Sequence, residues 1–323
     1  MRPFSFKKTE NAATAVAAKK DQAQFVAGGT NLVDLMKKHI AQPDALIDIT
    51  GSLSDKIEVA SKGIRVGAMV RNSALATDSK ILSQYPLIAK AVLAGASPQI
   101  RNMASTGGNL LQRTRCPYFY DTTSPCNKRK PGSGCSAIKG ENRMSAVVGY
   151  SDQCVAVHPS DLCVALAALD ASVNIINQKQ QKTTIAFKDF HRLPGDQPQT
   201  DNKLPANALI TSIDIPSNPF HKNSTYLKLR DRDSYAFALV SVAAALHLQG
   251  NKIADARLAS GGVAHKPWRW YAAEAYLKGK EASPLHFEKA ALIATESLKP
   301  LSGNAFKVSM LKGAIATALQ NCL

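Results

Sequence analysis

The sequence predicts an α+β protein built from two parts. Hydrophobic residues make up 45 % of its 323 residues, which is enough for a sizeable core. Residues 222–323 alternate like the strands of an antiparallel sheet and then continue as three helices, an arrangement typical of α+β domains. Between the two parts, Pro216, Asn218 and Pro219 indicate a linker. We therefore expect one domain over residues 1–217 and another over residues 222–323.

In the first part, strand and helix signals follow one another in order. AQFVAGGTNLVDLMKKHI predicts a strand, a glycine turn and a helix, and ALIDIT, IEVA and GIRVGAMV predict short strands. ILSQYPLIAKAVLAGA predicts a helix divided at Pro86, because proline breaks helical hydrogen bonding. A loop with little regular structure is expected from about 97 to 157. SDLCVALAALDASVNIIN then predicts a helix from residue 160 or 161 and a strand, and NALITSIDIP predicts one more strand.

The second part begins with three strand-like segments, TYLKLRD, YAFALVSVAAALHLQ and KIADARLASGGVA. The last two are separated by Gly250 and Asn251, which favours a hairpin. Helices are expected near 270–278, 286–297 and 306–320.

The chain is strongly basic, with a formal net charge of +16. Such a charge favours an acidic partner protein or an anionic cofactor. Nucleic acid is not expected as a partner, because no recognition helix, zinc finger or aromatic RNA-binding motif accompanies the charge. No apolar run approaches the ~20 residues that a membrane-spanning helix needs. The N-terminal residues contain neither an apolar signal core nor twin arginines, so we expect no export signal in this chain.

Two glycine-rich turns are candidates for a phosphate site. Gly28 and Gly29 separate a predicted strand from a predicted helix, where glycine lets the backbone approach a ligand and the helix start favours an anion. A second turn, residues 105–109, follows about eighty residues later. Two such turns suit a long diphosphate cofactor, although plain tight turns would look the same. Asp161 could bond such a cofactor or simply cap the helix that it begins.

Cysteines are concentrated in the loop. Without an export signal, disulfides are not expected. Cys163 lies in an apolar helical run and is expected in the core, while Cys322 is expected at a frayed C-terminus. The other four follow the pattern C-x9-C-x8-C-x18-C, at Cys116, Cys126, Cys135 and Cys154. Four thiolates fit either a tetrahedral zinc or a cubane [4Fe–4S] cluster, and the absence of paired C-x2-4-C knuckles favours the larger cluster without excluding zinc.

The loop is also rich in proline, glycine and basic residues, a composition that predicts no hydrophobic core of its own. A cluster with four thiolates would carry negative charge, which the loop's cations would stabilise. The alternative is a basic loop that docks on an acidic subunit. The basic residues between 113 and 143 are Arg113, Arg115, Lys128, Arg129, Lys130, Lys139 and Arg143, opposed by Asp121 and Glu141.

Five motifs, in this order, resemble the flavin-binding subunit of the molybdenum hydroxylases: AGGTNLVDLMK, GAMVRNSAL, ASPQIRNMASTGGNL, SDLCVALAALDA and GGVAHKPWR. That family includes xanthine dehydrogenase, carbon monoxide dehydrogenase and aldehyde oxidoreductases, and the resemblance covers the whole chain. It implies a two-lobed FAD-binding domain of the vanillyl-alcohol-oxidase (PCMH) type. It also implies a carbon monoxide dehydrogenase flavoprotein C-terminal domain after it.

The resemblance implies cofactor contacts residue by residue. The turn at residues 26–34 would wrap the FAD pyrophosphate, residues 105–109 would add phosphate and flavin contacts, and Asp161 would contact the cofactor. Lys228 would lie near the flavin ring, unless it is merely a solvated strand lysine, and the backbone of Ile210 would add a contact. The contacts implied are those of Val26, Ala27, Gly28, Gly29, Thr30, Asn31, Leu32, Val33, Asp34, Ser105, Thr106, Gly107, Gly108, Asn109, Asp161, Ile210 and Lys228.

The resemblance also bears on the cysteine loop and on function. Some flavin subunits of this family carry an extra [4Fe–4S] cluster in the corresponding insertion, here about 110–157. The implied protein is an electron-transfer subunit with FAD and this cluster, in a heterotrimer with a molybdenum subunit and a [2Fe–2S] subunit. The molybdenum subunit would oxidise an aldehyde, and electrons would leave through FAD to an external acceptor. No catalytic residue is therefore expected in this chain.

Two other functions stay open from the sequence: a stand-alone FAD reductase, and a scaffold protein with a zinc loop and no flavin. The resemblance is strongest to periplasmic aldehyde oxidoreductases, whose export a partner's signal would direct. The cytoplasm is the alternative location.

Overall fold

The computed structural model describes all 323 residues and contains three sheets. The first sheet is parallel, with strand order β1-β3-β2, and forms the smaller lobe of the first domain. Its elements are β1 (Ser5–Lys8), α1 (Ala12–Ala18), β2 (Ala23–Val26), α2 (Leu32–Lys37) and β3 (Ala45–Asp48).

The larger lobe is built on a five-stranded antiparallel sheet with strand order β4-β5-β8-β6-β7. Its strands are β4 (Ile57–Ala60), β5 (Gly63–Gly67), β6 (Ser172–Ile176), β7 (Lys182–Ala186) and β8 (Leu209–Pro216). Its helices, and the short helices of the segment that joins β5 to β6, are α3 (Asn72–Thr77), α4 (Ser79–Gln84), α5 (Pro86–Ala94), α6 (Pro98–Met103), α7 (Thr106–Leu110), α8 (Pro117–Tyr120), α9 (Asp161–Ala168) and α10 (Phe187–Phe190).

The C-terminal domain is a four-stranded antiparallel sheet with order β12-β11-β10-β9, covered by three helices. Its elements are β9 (Ser224–Leu229), β10 (Val240–Gln249), β11 (Lys252–Gly261), β12 (Trp268–Arg269), α11 (Tyr271–Leu277), α12 (Pro284–Thr295) and α13 (Phe306–Gln320). The fold is thus the predicted two-lobed α+β domain followed by an α+β C-terminal domain.

The central helix α9 lies in the core shared by the two domains. Every residue from Leu162 to Ala168 is buried, because the helix is apolar on all sides and packs against elements of both. Successive side chains of β10 point to opposite faces of the sheet, and both faces are buried. Ala243 and Ala245 face α9, whereas Val242 and Leu246 face the C-terminal helices. Cys163 is fully buried in this shared core, as expected.

Several local expectations are confirmed. Pro86 divides the predicted helix into α4 and α5, and Gly250 adopts a positive φ of 60° in the hairpin between β10 and β11. Three expectations are wrong. The segment expected as a loop from about 97 to 157 contains the short helices α6, α7 and α8, the first two begun by the N-caps Ser97 and Ser105. Cys322 is not frayed, because its thiol is buried against the carbonyl oxygens of Ala244 and Ala318. The strand expected from residue 235 begins at Val240, and the preceding residues form a loop.

No helix of this protein combines the length and the apolar character that crossing a membrane would require.

Candidate functional site

A cleft of about 1000 Å³ lies between the two lobes of the first domain, with the start of the C-terminal domain as a third wall. Both predicted glycine turns line it. So do Asp161 at the start of α9, Ile210 in β8 and Lys228 in β9. The structure therefore brings together elements that lie up to about two hundred residues apart in the sequence.

The first glycine turn connects β2 to α2. Gly29 has a φ of +72°, a conformation that favours glycine. A Cβ atom on Gly28 would lie 1.8 Å from the Met103 carbonyl oxygen, so this glycine allows the turn to pack on the backbone at the end of α6. Of the predicted residues 26–34, all except Val33 line the cleft.

The second glycine turn forms α7 and its N-cap. The Ser105 hydroxyl accepts a hydrogen bond from the Gly108 N–H, and the Gly107 N–H donates to the Ala68 carbonyl at 2.8 Å. Thr106 is buried, with its hydroxyl bonded to the Val70 carbonyl, and does not line the cleft. Gly108 is exposed and lines the cleft. Its neighbours Gly107, which is buried, and Asn109, which is half-buried, also line the cleft.

Asp161 is the centre of a buried polar group at the cleft wall. Lys228 Nζ lies 2.8 Å from one Asp161 oxygen, and the Tyr226 hydroxyl donates to the other at 2.7 Å. The Lys228 side chain is only 4 % exposed and the Asp161 side chain 9 % exposed. Lys228 is therefore not a solvated strand lysine. Burial, and then the Asp161 charge, raise the pKa of Tyr226 well above its usual value.

The N-cap of α9 is Ser160 rather than Asp161. The Ser160 hydroxyl accepts from the Cys163 N–H and donates to Asn109 in the second glycine turn. The Asp161 carboxylate is thereby left to pair with Lys228. The structure therefore excludes the helix-cap role for Asp161.

The four loop cysteines line one cavity. Cys126 and Cys154 are buried, Cys116 and Cys135 are half-buried, and all four are free thiols. Burial raises the pKa of Cys154 to about 12, although the positive charge of Lys128 opposes the shift. Buried thiols of this kind lose their protons readily only when a metal compensates the charge.

The basic residues of the loop bind parts of the chain to one another. Buried Lys128 pairs with Asp201, and Arg129 donates to the carbonyl oxygens of Tyr118 and Phe119. Arg143 forms a two-bond ion pair with Asp231 at the cleft wall. Four of the seven basic residues, Arg113, Arg115, Lys128 and Arg143, therefore pair with aspartates of this chain.

The expectation that the loop has no apolar core is wrong. Phe119 is 1 % exposed and packs with Leu35 and Cys126 in a small cluster of buried side chains. The sequence did not indicate this core because two of its members come from the loop and the third comes from α2, more than eighty residues away.

Sequence reasoning also missed a buried histidine group. His158 and His191 have ring centroids 4.4 Å apart, and their nitrogen atoms lie within 4.8 Å of one another and of the Cys163 sulfur. Burial lowers the pKa of His191 and of nearby His265 to about 4. These rings are therefore neutral at neutral pH. No local signal pointed to the group, because its members are scattered over residues 158–265.

A two-lobed α+β domain with two glycine turns on one cleft, joined to an antiparallel α+β domain, defines a class of flavin-binding oxidoreductase subunits. Residues 3–218 match the family model described as the FAD binding domain in molybdopterin dehydrogenase. Residues 224–321 match that of the CO dehydrogenase flavoprotein C-terminal domain. The chain belongs to the FAD-binding subunits of the molybdenum hydroxylase family of oxidoreductases.

Individual relatives agree with this family. The chain is 46 % identical over 323 residues to the aldehyde oxidoreductase FAD-binding subunit PaoB of Escherichia coli K12, covering 99 % of this chain and 98 % of that protein. It is 26 % identical to the glyceraldehyde dehydrogenase medium chain of Sulfolobus acidocaldarius, covering 81 % of this chain and 75 % of the relative. Quinoline 2-oxidoreductase from Pseudomonas putida 86 shares the fold, with a TM-score of 0.77 at 21 % identity over 99 % of this chain and 97 % of that one.

Proposed function

We propose that this chain is the FAD- and [4Fe–4S]-carrying electron-transfer subunit of a heterotrimeric molybdenum aldehyde oxidoreductase. The observation that carries the proposal is the cleft in which both glycine turns meet the buried Asp161–Lys228 pair. FAD, when bound, supplies the conversion between one-electron and two-electron transfer. The chain itself would contribute binding and orientation of the cofactor.

The residues of the cleft fit FAD by their chemistry. The backbone at half-buried Gly29 and at exposed Gly108 lines the cleft and leaves room for a close approach by the pyrophosphate. The Asp161 carboxylate, held rigid by Lys228 and Tyr226, is a hydrogen-bond acceptor suited to hydroxyl or ring N–H groups. We propose the cofactor contacts implied by the resemblance as the FAD site, with Val33 and Thr106 supporting the two turns from behind.

The cysteine cavity supports an iron–sulfur cluster over zinc. Tetrahedral zinc with bonds of about 2.3 Å holds its sulfur atoms about 3.8 Å apart. His158, Cys163 and His191 are the only three potential metal ligands whose ligand atoms all lie within 4.8 Å of one another. No three of the four loop cysteines lie that close together. A cubane, whose irons occupy separate corners, suits more widely separated thiols.

A visible spectrum and metal analysis of the purified protein test the proposal. We expect flavin bands with a broad shoulder near ~400 nm, and iron with labile sulfide. A colourless, zinc-containing protein would instead support the scaffold alternative. Cys135→Ser should lose the cluster or leave a labile three-iron form, whereas Cys163→Ala, outside the loop, is the matched control and should keep its iron. Full iron in Cys135→Ser would contradict the ligand assignment.

The partners and substrate are proposed from the same family. We expect a molybdenum subunit that oxidises an aldehyde, a [2Fe–2S] subunit that delivers electrons to this chain, and an external acceptor. Co-purification of a tagged chain with two such subunits tests this. An isolated chain that catalyses aldehyde oxidation in full would favour the stand-alone reductase. The location we propose is the periplasm, reached through a partner's signal, and recovery of the complex only in the cytoplasmic fraction would contradict it.

A further inference from the structure

The beginning of the cysteine loop is attached to the helix that follows the first glycine turn. The Arg113 N–H donates to the Asn31 side-chain oxygen at 3.0 Å. Two residues later, Arg115 Nη1 donates to the Asp34 carboxylate at 3.1 Å, and the Tyr120 hydroxyl donates to the same oxygen. Residues 113–120 are therefore fixed against α2 by three hydrogen bonds.

This attachment places the Arg115 guanidinium in the wall of the cleft. Its side chain is 24 % exposed, and its guanidinium carbon lies 5.2 Å from the centre of the Phe237 ring, which also lines the cleft. Both of its hydrogen bonds use Nη1, while the buried Nε–H has no partner. An arginine offers five N–H donors, so most of the hydrogen-bonding capacity of this side chain is unused.

We propose that Arg115 binds the pyrophosphate of FAD, so that the cysteine loop forms part of the flavin site. The proposal rests on the proposed placement of FAD in the cleft. The pyrophosphate is the only anionic part of oxidised FAD, and the planar guanidinium matches two phosphate oxygens at once. Asp34 and Arg115 both line the cleft and form an ion pair, so the Arg115 charge offsets a carboxylate that would otherwise repel phosphate.

The test compares Arg115→Gln and Arg115→Lys with Lys139→Gln. Lys139 is an exposed cation of the same loop that does not line the cleft. Its substitution therefore removes one positive charge without touching the proposed FAD site. FAD release from each purified flavoprotein is followed by the recovery of flavin fluorescence on dilution. We expect Arg115→Gln to bind FAD about tenfold or more weakly, since a charge-assisted hydrogen bond is lost. Arg115→Lys should be intermediate, and Lys139→Gln should match the unmodified protein.

Two further probes separate this contact from its alternatives. ADP, which carries the diphosphate, should compete less well in Arg115→Gln, whereas riboflavin, which lacks it, should bind equally well to both proteins. Equal FAD affinity in all variants, or an equal loss for riboflavin, would overturn the proposal. Loss of iron together with FAD in both Arg115 variants would also overturn it, because the loop would then act only as a support. An unmodified protein that binds no FAD would instead refute the proposed function.

Discussion

The glycines of the two turns look alike in the sequence but are required for different structural reasons. Gly28 is needed because the backbone at Met103 occupies the space of a side chain, whereas a Cβ on Gly108 would approach only the Ser105 hydroxyl, at 2.9 Å. Gly28 therefore stabilises the junction between the glycine turn and α6. Gly108 leaves cleft volume open for a ligand.

This difference predicts different outcomes for two substitutions. Gly108→Val should fold and keep its iron, yet bind FAD at least tenfold more weakly, because a branched side chain would project into the cleft. Gly28→Val should lose FAD as well, but with a lower melting temperature, since its side chain meets backbone atoms at 1.8–3.2 Å. Flavin content and thermal unfolding of both variants check this. Normal flavin content in Gly108→Val would contradict the assigned site.

The buried histidines predict how stability depends on pH. His191 and His265 have pKa values near 4 in the folded protein, below the usual 6.5, because burial disfavours their charged forms. The unfolded chain therefore binds protons first as the pH falls. As the pH falls from about 6.5 to about 4, protonation of each ring in the unfolded chain should lower the free energy of unfolding by about 1.4 kcal/mol per pH unit.

Urea denaturation at pH 7.5, 6, 5 and 4.5 measures this slope. His191→Asn removes one of the titrating groups and should reduce the slope in that window, whatever its effect on absolute stability. The exposed His221 provides a matched control, because His221→Asn should leave the slope unchanged. A slope that is the same in all three proteins would contradict the assignment.

At the level of elements, the sequence predicted what local patterns can encode. The strand–turn–helix at Gly28, the division at Pro86 and the helix that begins at Asp161 each follow from neighbouring residues. β7 and β12 were missed, because β7 has mostly exposed side chains and β12 has only two residues. The contacts of Arg115 and His191 could not be predicted from neighbouring residues, because their partners, Asp34 and His158, are distant in the sequence and come close only in the folded chain.

The attachment of the cysteine loop to α2 leads to a prediction about Phe119. This ring packs on Leu35 and Cys126, with the Arg113 guanidinium 5.0 Å from its centre. Phe119→Ala should lower the free energy of unfolding by about 3 kcal/mol and loosen the loop. Limited proteolysis should then cut at the exposed residues 121–123 or 130–132, which the unmodified protein should resist. Phe237→Ala, whose ring is exposed, is the control and should remain resistant.

At the level of the whole molecule, the two domains share buried surface and charged contacts. Ala243, Ala245 and Ala259 of the C-terminal sheet belong to the same core cluster as α9. Arg269 donates to the Ala167 carbonyl at the end of α9. Lys307 is fully buried and donates to the carbonyl oxygens of Ser145 and Gly262, which connects α13 to the cysteine loop and to the end of β11. The domains therefore support each other and the site between them.

Such an interface predicts that both domains unfold together. Calorimetry of the purified protein should give a single transition, and Ala243→Leu should lower its midpoint as a whole, because a larger side chain overpacks the shared core at a cost of about 1–3 kcal/mol. Residues 1–221 expressed alone should aggregate, since the apolar face of α9 would be exposed. Leu285→Ala, on the exposed face of α12, is a control that should leave the midpoint unchanged. Two separate transitions, with only the second lowered by Ala243→Leu, would mean that the domains are independent and that the C-terminal wall of the cleft can unfold without the FAD-binding lobes.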